Sequence, residues 1–267
     1  MGTIKEQNRY SRLLEAIFFK YYQDGLKELS FKRNDITEMA EELGMKIPKN
    51  IGDVMYSFRY RNELPPNIVS KAPTGHMWII RPAGKGSYKF VAVTESIITP
   101  TKMLVETKIP DATPGVIARY TLNDEQALLA KLRYNRLIDI FSCLTCYSLQ
   151  SHLRTTLRDG SQVETDEIYI GIDKRGVHYV LPVQAKGGRD RIGIVQIEQD
   201  FDMCSVKFPT LICRAIAAQF IEGDLIALFE FEKVEGVVKV SSEKHYQLVK
   251  SENLSQEEIS SYQIRQF

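Results

Sequence analysis

The sequence has little that would suit secretion or a membrane. Four cysteines in 267 residues are too few for a disulfide framework. No apolar run approaches the roughly 18 residues a membrane span needs. The start, MGTIKEQNRY, lacks the charged-then-apolar layout of a leader peptide, so a cytoplasmic location with no membrane partner is the expectation. Charge of neither sign dominates, since 35 Lys and Arg face 34 Asp and Glu. Cys143 and Cys146 have the spacing of half a zinc site, but no second pair completes it, so structural zinc is not expected. Gly84-Lys-Gly86 and Lys186-Gly-Gly188 match neither a P-loop nor a dinucleotide fingerprint, which argues against a nucleotide cofactor. None of the four histidines belongs to an evident Ser-His-Asp set or metal cluster. His152 and His178 read as surface or structural residues, with His152 a candidate for facing a cleft.

The distribution of charge says more than its sum. Residues 46–89 carry eight Lys and Arg against two acids, a local excess of six, so the remainder is net acidic. Such a segment is a candidate phosphate footprint, the alternative being a solvated face. Around it, residues 10–29 have apolar groups at helical spacing. Asn34-Asp35 caps a short helix, ITEMAEELGM, closed at Gly44, and IGDVMYSFRYR forms a second before Pro65-Pro66. Helix, turn and helix is the layout of a helix-turn-helix, and HMWIIRP and YKFVAV follow as two strands about a basic, Gly-rich turn. Residues 1–95 therefore resemble a winged-helix DNA-binding domain. Its recognition helix would run from Asn50 to Arg61, offering Tyr56, Arg59, Tyr60 and Arg61 to bases and phosphates, with Met55 and Phe58 packed inward. Lys85 and Lys89 on the wing would meet the backbone.

Residues 96–122, with Pro100, Pro110 and Pro114, read as a linker. From 123 onward the pattern is mixed α/β (α+β). About thirty residues from Asn123 suggest one long helix, or two joined by a bend. Next come a turn at Arg158–Ser161, the strand QVETDEIYIGI, the turn DKRG and the strand VHYVLPVQAK. A helix from Arg189 to Lys207, strands at TLICRAIAAQF and LIALFEFE, and a final hairpin of VVKVSS and HYQLVK complete the reading.

The chemistry concentrates in the hairpin. With side chains alternating at period two, Glu164 and Asp166 share one face of the first strand, and Gln184 and Lys186 share one face of the second. Glu167 falls on the opposite face. Polar groups converging in strands otherwise rich in Val, Ile, Leu and Tyr are costly unless something binds them. An acid such as Asp166 suits a hard cation, and a nearby lysine can stabilise charge developing on a phosphate.

Asp166, the hairpin and the closing Gln184-Ala-Lys186 resemble the PD-(D/E)XK nuclease superfamily, which includes most type II restriction endonucleases. The Gln-x-Lys form is similar to the Mrr-type variant. The resemblance spans about residues 123–232, and it implies a restriction-endonuclease-like mixed sheet flanked by helices within a nuclease domain of residues 123–267. It implies Asp166 and Gln184 as ligands of Mg²⁺ and Lys186 as the catalytic lysine. Thr165 stands where the family often has Pro, and Gln184 is neutral where a second carboxylate is common. Glu164 is the first candidate to supply the missing charge, as a catalytic acid and metal ligand; Glu125, early in the preceding helix, is the second. Arg189 and Arg191, after Gly187-Gly188, are candidates to approach phosphate. Gln196 and Glu198 read as a solvated helix face or as assisting polar groups. The implied function is Mg²⁺-dependent cleavage of double-stranded DNA by a sequence-specific restriction enzyme, expected as a homodimer on two-fold sites. The alternatives are a repair or junction-resolving nuclease, and a non-catalytic DNA-binding regulator on a nuclease fold.

Overall fold

Leu13, Leu14, Ile17 and Phe18 recur at helical spacing and are all buried, so the first helix, α1 (Arg9–Tyr21), hides one apolar face. The computed structural model describes residues 9–46, 51–60, 62–94, 97–120, 125–158, 160–187, 190–221 and 225–264, and of Arg9, Asp53 and Tyr60 the backbone alone. The chain divides into two compact units, Met1–Ile97 with Thr156–Gln162 and Gly193–Val195, and Ile98–Thr155 with Val163–Ile192 and Gln196–Phe267. Among the described residues no helix is long and apolar enough to cross a membrane.

In the first unit, α1 is shorter than its periodicity predicts. Gly25 takes φ 90°, and Glu28–Lys32 (β1) alternates, burying Leu29 and Phe31 while its other residues face outward. The helices α2 (Arg33–Glu42), α3 (Ile51–Tyr60) and α4 (Pro66–Val69) follow, then β2 (Met77–Pro82) and β3 (Ser87–Val93). Asp35 lies inside α2 and not at its cap, where its carboxylate accepts the Lys32 N–H at 2.6 Å. The three strands form an antiparallel sheet in the order β1-β3-β2. Met55 and Phe58 of α3 are buried, as expected, in a core that includes Ile36, Ile68 and Ile80. Phe18 closes that core edge-on against Trp78 and Phe90, with ring centroids 5.3 and 5.1 Å away. In the same unit Gly160 has φ 82°, and a Cβ there would fall 2.9 Å from Lys85 Cβ and 3.3 Å from its Cα. Gly160→Ala is therefore expected to lower the unfolding free energy by about 1–3 kcal/mol in urea denaturation, through left-handed backbone strain and the clash.

The residues expected to form a linker hold ordered elements: β4 (Ile97–Ile98), β5 (Glu106–Pro110) and α5 (Gly115–Tyr120). β5 pairs in parallel with the last strand of the second unit. The expected thirty-residue helix is three elements, α6 (Glu125–Tyr134), α7 (Leu137–Ser142) and β6 (Thr145–Thr156). Arg136 (φ 50°) and Cys143 (φ 55°) take left-handed backbone and break the helical run on either side of α7. Beyond them come β7 (Gln162–Ile172), β8 (His178–Lys186), β9 (Ile192–Gly193), α8 (Ile194–Lys207), β10 (Ile212–Cys213), β11 (Ala215–Ile221), β12 (Leu225–Val234), β13 (Val237–Val249) and α9 (Gln256–Gln263). The helix expected from 189 thus begins at Ile194. The expected terminal hairpin is one strand, because a bulge opposite Glu230/Phe231 absorbs Ser241, whose hydroxyl donates to the Glu230 carbonyl at 3.1 Å.

The large sheet has the order β5-β13-β12-β11-β8-β7-β6, with β10 beside β8. β7 and β8 are antiparallel, whereas β8 and β11 are parallel and joined through α8. Leu128, Leu129 and Leu132 of α6 and Leu137, Ile138 and Phe141 of α7 cover one face, against Tyr169, Leu181, Val183 and Ala185. The turn between β7 and β8 is held by Asp173, whose Oδ1 accepts the Arg175 and Val177 N–H groups at 2.8 and 3.0 Å. Burial pushes this carboxyl up, but those N–H groups and the Arg175 guanidinium outweigh it and hold the value at about 2, below the usual 3.8. The contribution to stability is therefore complete above 3.8 and lost as pH falls towards about 2. The melting temperature of Asp173→Asn should trail that of the wild type at neutral pH and converge on it across that acid window.

Candidate active site

The β7–β8 ladder runs from Ile172↔His178 to Glu167↔Val183, and Asp166 and Gln184 are the next residues along each strand. β8 continues beyond this point on its other side, pairing Gln184 with Ala217 and Lys186 with Gln219 of β11. Asp166 and the Gln184–Lys186 segment thus lie together where the β7–β8 register ends, beside the N-terminus of α6.

Asp166 is buried, and its Oδ2 accepts the Ala185 N–H at 2.8 Å. The Lys186 ammonium donates to Glu125 Oε1 at 2.9 Å, and its side chain is only 12% exposed. Burial pushes the Asp166 carboxyl up, assisted by the charge of Glu125 and opposed by the Ala185 N–H, Lys186 and His152. Burial pulls Lys186 down, but the charges of Asp166, Glu125 and Asp190 outweigh it, so the amine is held above its ordinary value and stays protonated. Glu125 thus holds the buried ammonium directly, and Asp166 acts on it through its charge alone.

Of the remaining expected residues, Glu125 and Gln184 adjoin this site and the others fall elsewhere. Glu164 forms an ion pair with the exposed Arg154, at 2.9–3.0 Å, and Glu125 is the carboxylate brought to Lys186. Gln184 is buried, and its Nε2 donates to Asp200 Oδ2 at 3.0 Å and to the Glu164 carbonyl at 3.1 Å. In the first unit, Tyr56 and Arg59 are half-buried on α3, and Tyr60 belongs to the same helix. Lys85 is exposed in the turn between β2 and β3, and Lys89 pairs with Glu28 at 3.0 Å. Arg191 is exposed, whereas Arg61 and Arg189 lie outside the described residues.

Two features escaped the sequence reading. The first is Asp200 of α8, fully buried, whose Oδ1 accepts the Thr165 hydroxyl at 2.5 Å while Oδ2 takes Gln184. Burial pushes its carboxyl up to about 7, against the hydrogen bonds from Thr165 and Gln184. Its signal was an acid at the helical spacing of Ile197 and Cys204, both buried. The second is Glu167, wholly buried on the α6 side, where its Oε1 accepts from Arg133 at 2.8 Å and Ser148 at 2.5 Å. Thr165 meets α8 and Glu167 meets α6, so strict alternation fails between them. His152, the expected candidate for facing a cleft, stands at φ 50° inside β6, with its Nε2 2.9 Å from Gln126 Nε2. A non-glycine residue in this conformation next to a charged cluster is a known mark of functional sites.

Among the described residues no group of three or more His, Cys, Asp or Glu side chains is arranged to hold a metal ion. No protein-family model, curated protein or solved structure matches the chain.

Proposed function

We propose that the chain is a Mg²⁺-dependent endonuclease cleaving double-stranded DNA, with an active site of the PD-(D/E)XK type in its Gln-x-Lys form. The observation that carries this reading is the meeting of Asp166, Lys186 and Glu125 where the β7–β8 register ends. The order α6/α7, β6, β7, β8, α8, β11 adds support, as a helix precedes the hairpin and a helix and strand follow it. In the first unit, the helices α2 and α3, followed by the short α4 and a hairpin with β1 added at its edge, support a winged-helix role in holding duplex DNA.

The donor set fits a hard cation. Asp166 offers a buried carboxyl whose Oδ2 accepts the Ala185 N–H, and a bound cation would offset the burial that pushes this carboxyl up. Mg²⁺ keeps several waters and commonly takes one or two protein carboxylates plus phosphate oxygens, so a cage of three protein acids is not required. Asp166, Glu125 and the Gln184 carbonyl oxygen would hold it, and when bound it would acidify a water and offset phosphate charge. Lys186 would donate to a non-bridging oxygen of the scissile phosphate as negative charge grows there. Its buried, protonated state suits that role.

The test is incubation of the purified protein with phage and plasmid DNA, with and without Mg²⁺, beside Asp166→Ala. Discrete fragments that need the metal and vanish in the variant are expected. Cutting confined to branched substrates would instead assign a repair role. Duplex binding without cleavage would leave a regulator. Wild-type cutting by Asp166→Ala would overturn the site.

A further inference from the structure

Gln184 is an amide, and an amide offers a metal only its oxygen. Which end faces the site depends on what holds the other end. Gln184 Nε2 carries two N–H groups, and both have acceptors, Asp200 Oδ2 at 3.0 Å and the Glu164 carbonyl at 3.1 Å. Asp200 in turn is anchored by the Thr165 hydroxyl at 2.5 Å, and Thr165, Gln184 and Asp200 all have 1% exposure or less. In so dry a setting a flipped amide would set its carbonyl oxygen against a carboxylate and a backbone carbonyl, an arrangement with no hydrogen bond and with repulsion on both sides.

We propose that Asp200 is a positioning residue that keys the Gln184 amide, holding its NH₂ inward and so reserving Oε1 for the cation and substrate. The proposal rests on the nuclease reading above. The key does not depend on the ionisation of Asp200. A proton on Oδ1 would meet the Thr165 oxygen, which can accept it, and Oδ2 would still accept from Gln184. An asparagine would serve equally, with its NH₂ towards Thr165 and its oxygen towards Gln184. Alanine would not, because it leaves the amide free to turn.

The experiment compares wild type, Asp200→Asn and Asp200→Ala, each checked for folding by its thermal melt. Mg²⁺ affinity is measured by calorimetry without DNA, and the Gln184 side-chain NH₂ is followed by NMR as exchange-protected protons. Asp200→Ala should weaken Mg²⁺ binding about 10- to 100-fold and lose the protection, while Asp200→Asn keeps both near wild type. Equal loss of affinity in Asn and Ala would overturn the proposal, since the carboxylate charge itself would then be what binds. Unchanged affinity in a folded Asp200→Ala would overturn it as well. Should Asp200→Ala fail to fold, Thr165→Val provides the second arm, expected to weaken affinity and protection in the same direction; no change there would overturn the key. A wild type that neither binds Mg²⁺ nor cuts DNA would sink the nuclease reading. The protected Gln184 amide, kept in Asn and lost in Ala, would then still establish the key, and its absence in wild type would overturn the key itself.

Discussion

Arg133→Met is expected to lower the free energy of unfolding by about 3–5 kcal/mol, more than any other single substitution considered for this fold. The reason is an asymmetry in burial. Glu167 has no exposed surface, whereas the Arg133 side chain is 47% exposed. The guanidinium reaches in from the edge of α6 and donates to Glu167 Oε1 through Nε at 3.2 Å and Nη2 at 2.8 Å. Ser148 adds a third donor at 2.5 Å, while Oε2 is buried without a hydrogen-bond partner among the described residues. Removing the arginine costs that side chain little, but leaves a carboxylate in the core with a hydroxyl in place of a cation. Methionine keeps most of the apolar stem, so the loss reports on the charge and not on packing. Adding Glu167→Gln should restore most of the stability, because the amide has no charge to strand. Urea denaturation of the wild type, the single variant and the double variant checks this. A loss below about 1 kcal/mol, or no recovery in the double variant, would show that Glu167 is not held as an ion.

How much of this was legible beforehand varies with the physics involved. The hairpin was legible to within one residue: Gln162–Ile172 is the strand its composition predicts, and His178–Lys186 starts one residue after the predicted Val177, because turn residues bound alternating β-branched and aromatic runs. The register, which the sequence left open, brings Asp166 opposite Gln184, two residues before Lys186. Glu125 was harder. Alternation along β7 favoured Glu164 as the second acid, but alternation fails around Thr165–Glu167, and Glu164 turns to Arg154. Only the approach of α6 to the end of β8, a tertiary fact, brings Glu125 to Lys186. β6 was misread because Leu, Gln, Ser and His support a helix as readily as a strand; the two left-handed residues, Arg136 and Cys143, decide the matter, and neither type advertises that conformation. Asp200 was legible in principle, as an acid on the buried face of α8, but its partners are distant in sequence and only the fold supplies them.

The buried ammonium leads to a result with two signs. On the proposed nuclease reading, Lys186→Met is expected to reduce turnover on duplex DNA by about 100- to 1,000-fold, as loss of a donor to transition-state charge does, with little change in KM. The same substitution should leave Mg²⁺ binding in the absence of DNA unchanged or tighter. Lys186 Nζ lies 2.9 Å from Glu125 Oε1 and its charge also acts on Asp166, so on that reading it would compete with a cation for the two acids in the free protein. Without it, Asp166 and Glu125 face each other uncompensated, and a divalent ion is the natural replacement. A purely structural lysine would behave differently. Its loss would weaken metal binding and turnover together by disordering the site, and Glu125→Gln in the same chain would restore both by removing the stranded acid. The two readings are separated by measuring turnover and Mg²⁺ affinity on Lys186→Met and on Lys186→Met/Glu125→Gln. Turnover within tenfold of wild type in the single variant, or recovery of turnover in the double, would remove Lys186 from the chemistry. Tighter or unchanged metal binding with lost turnover would place its charge on the reacting phosphate.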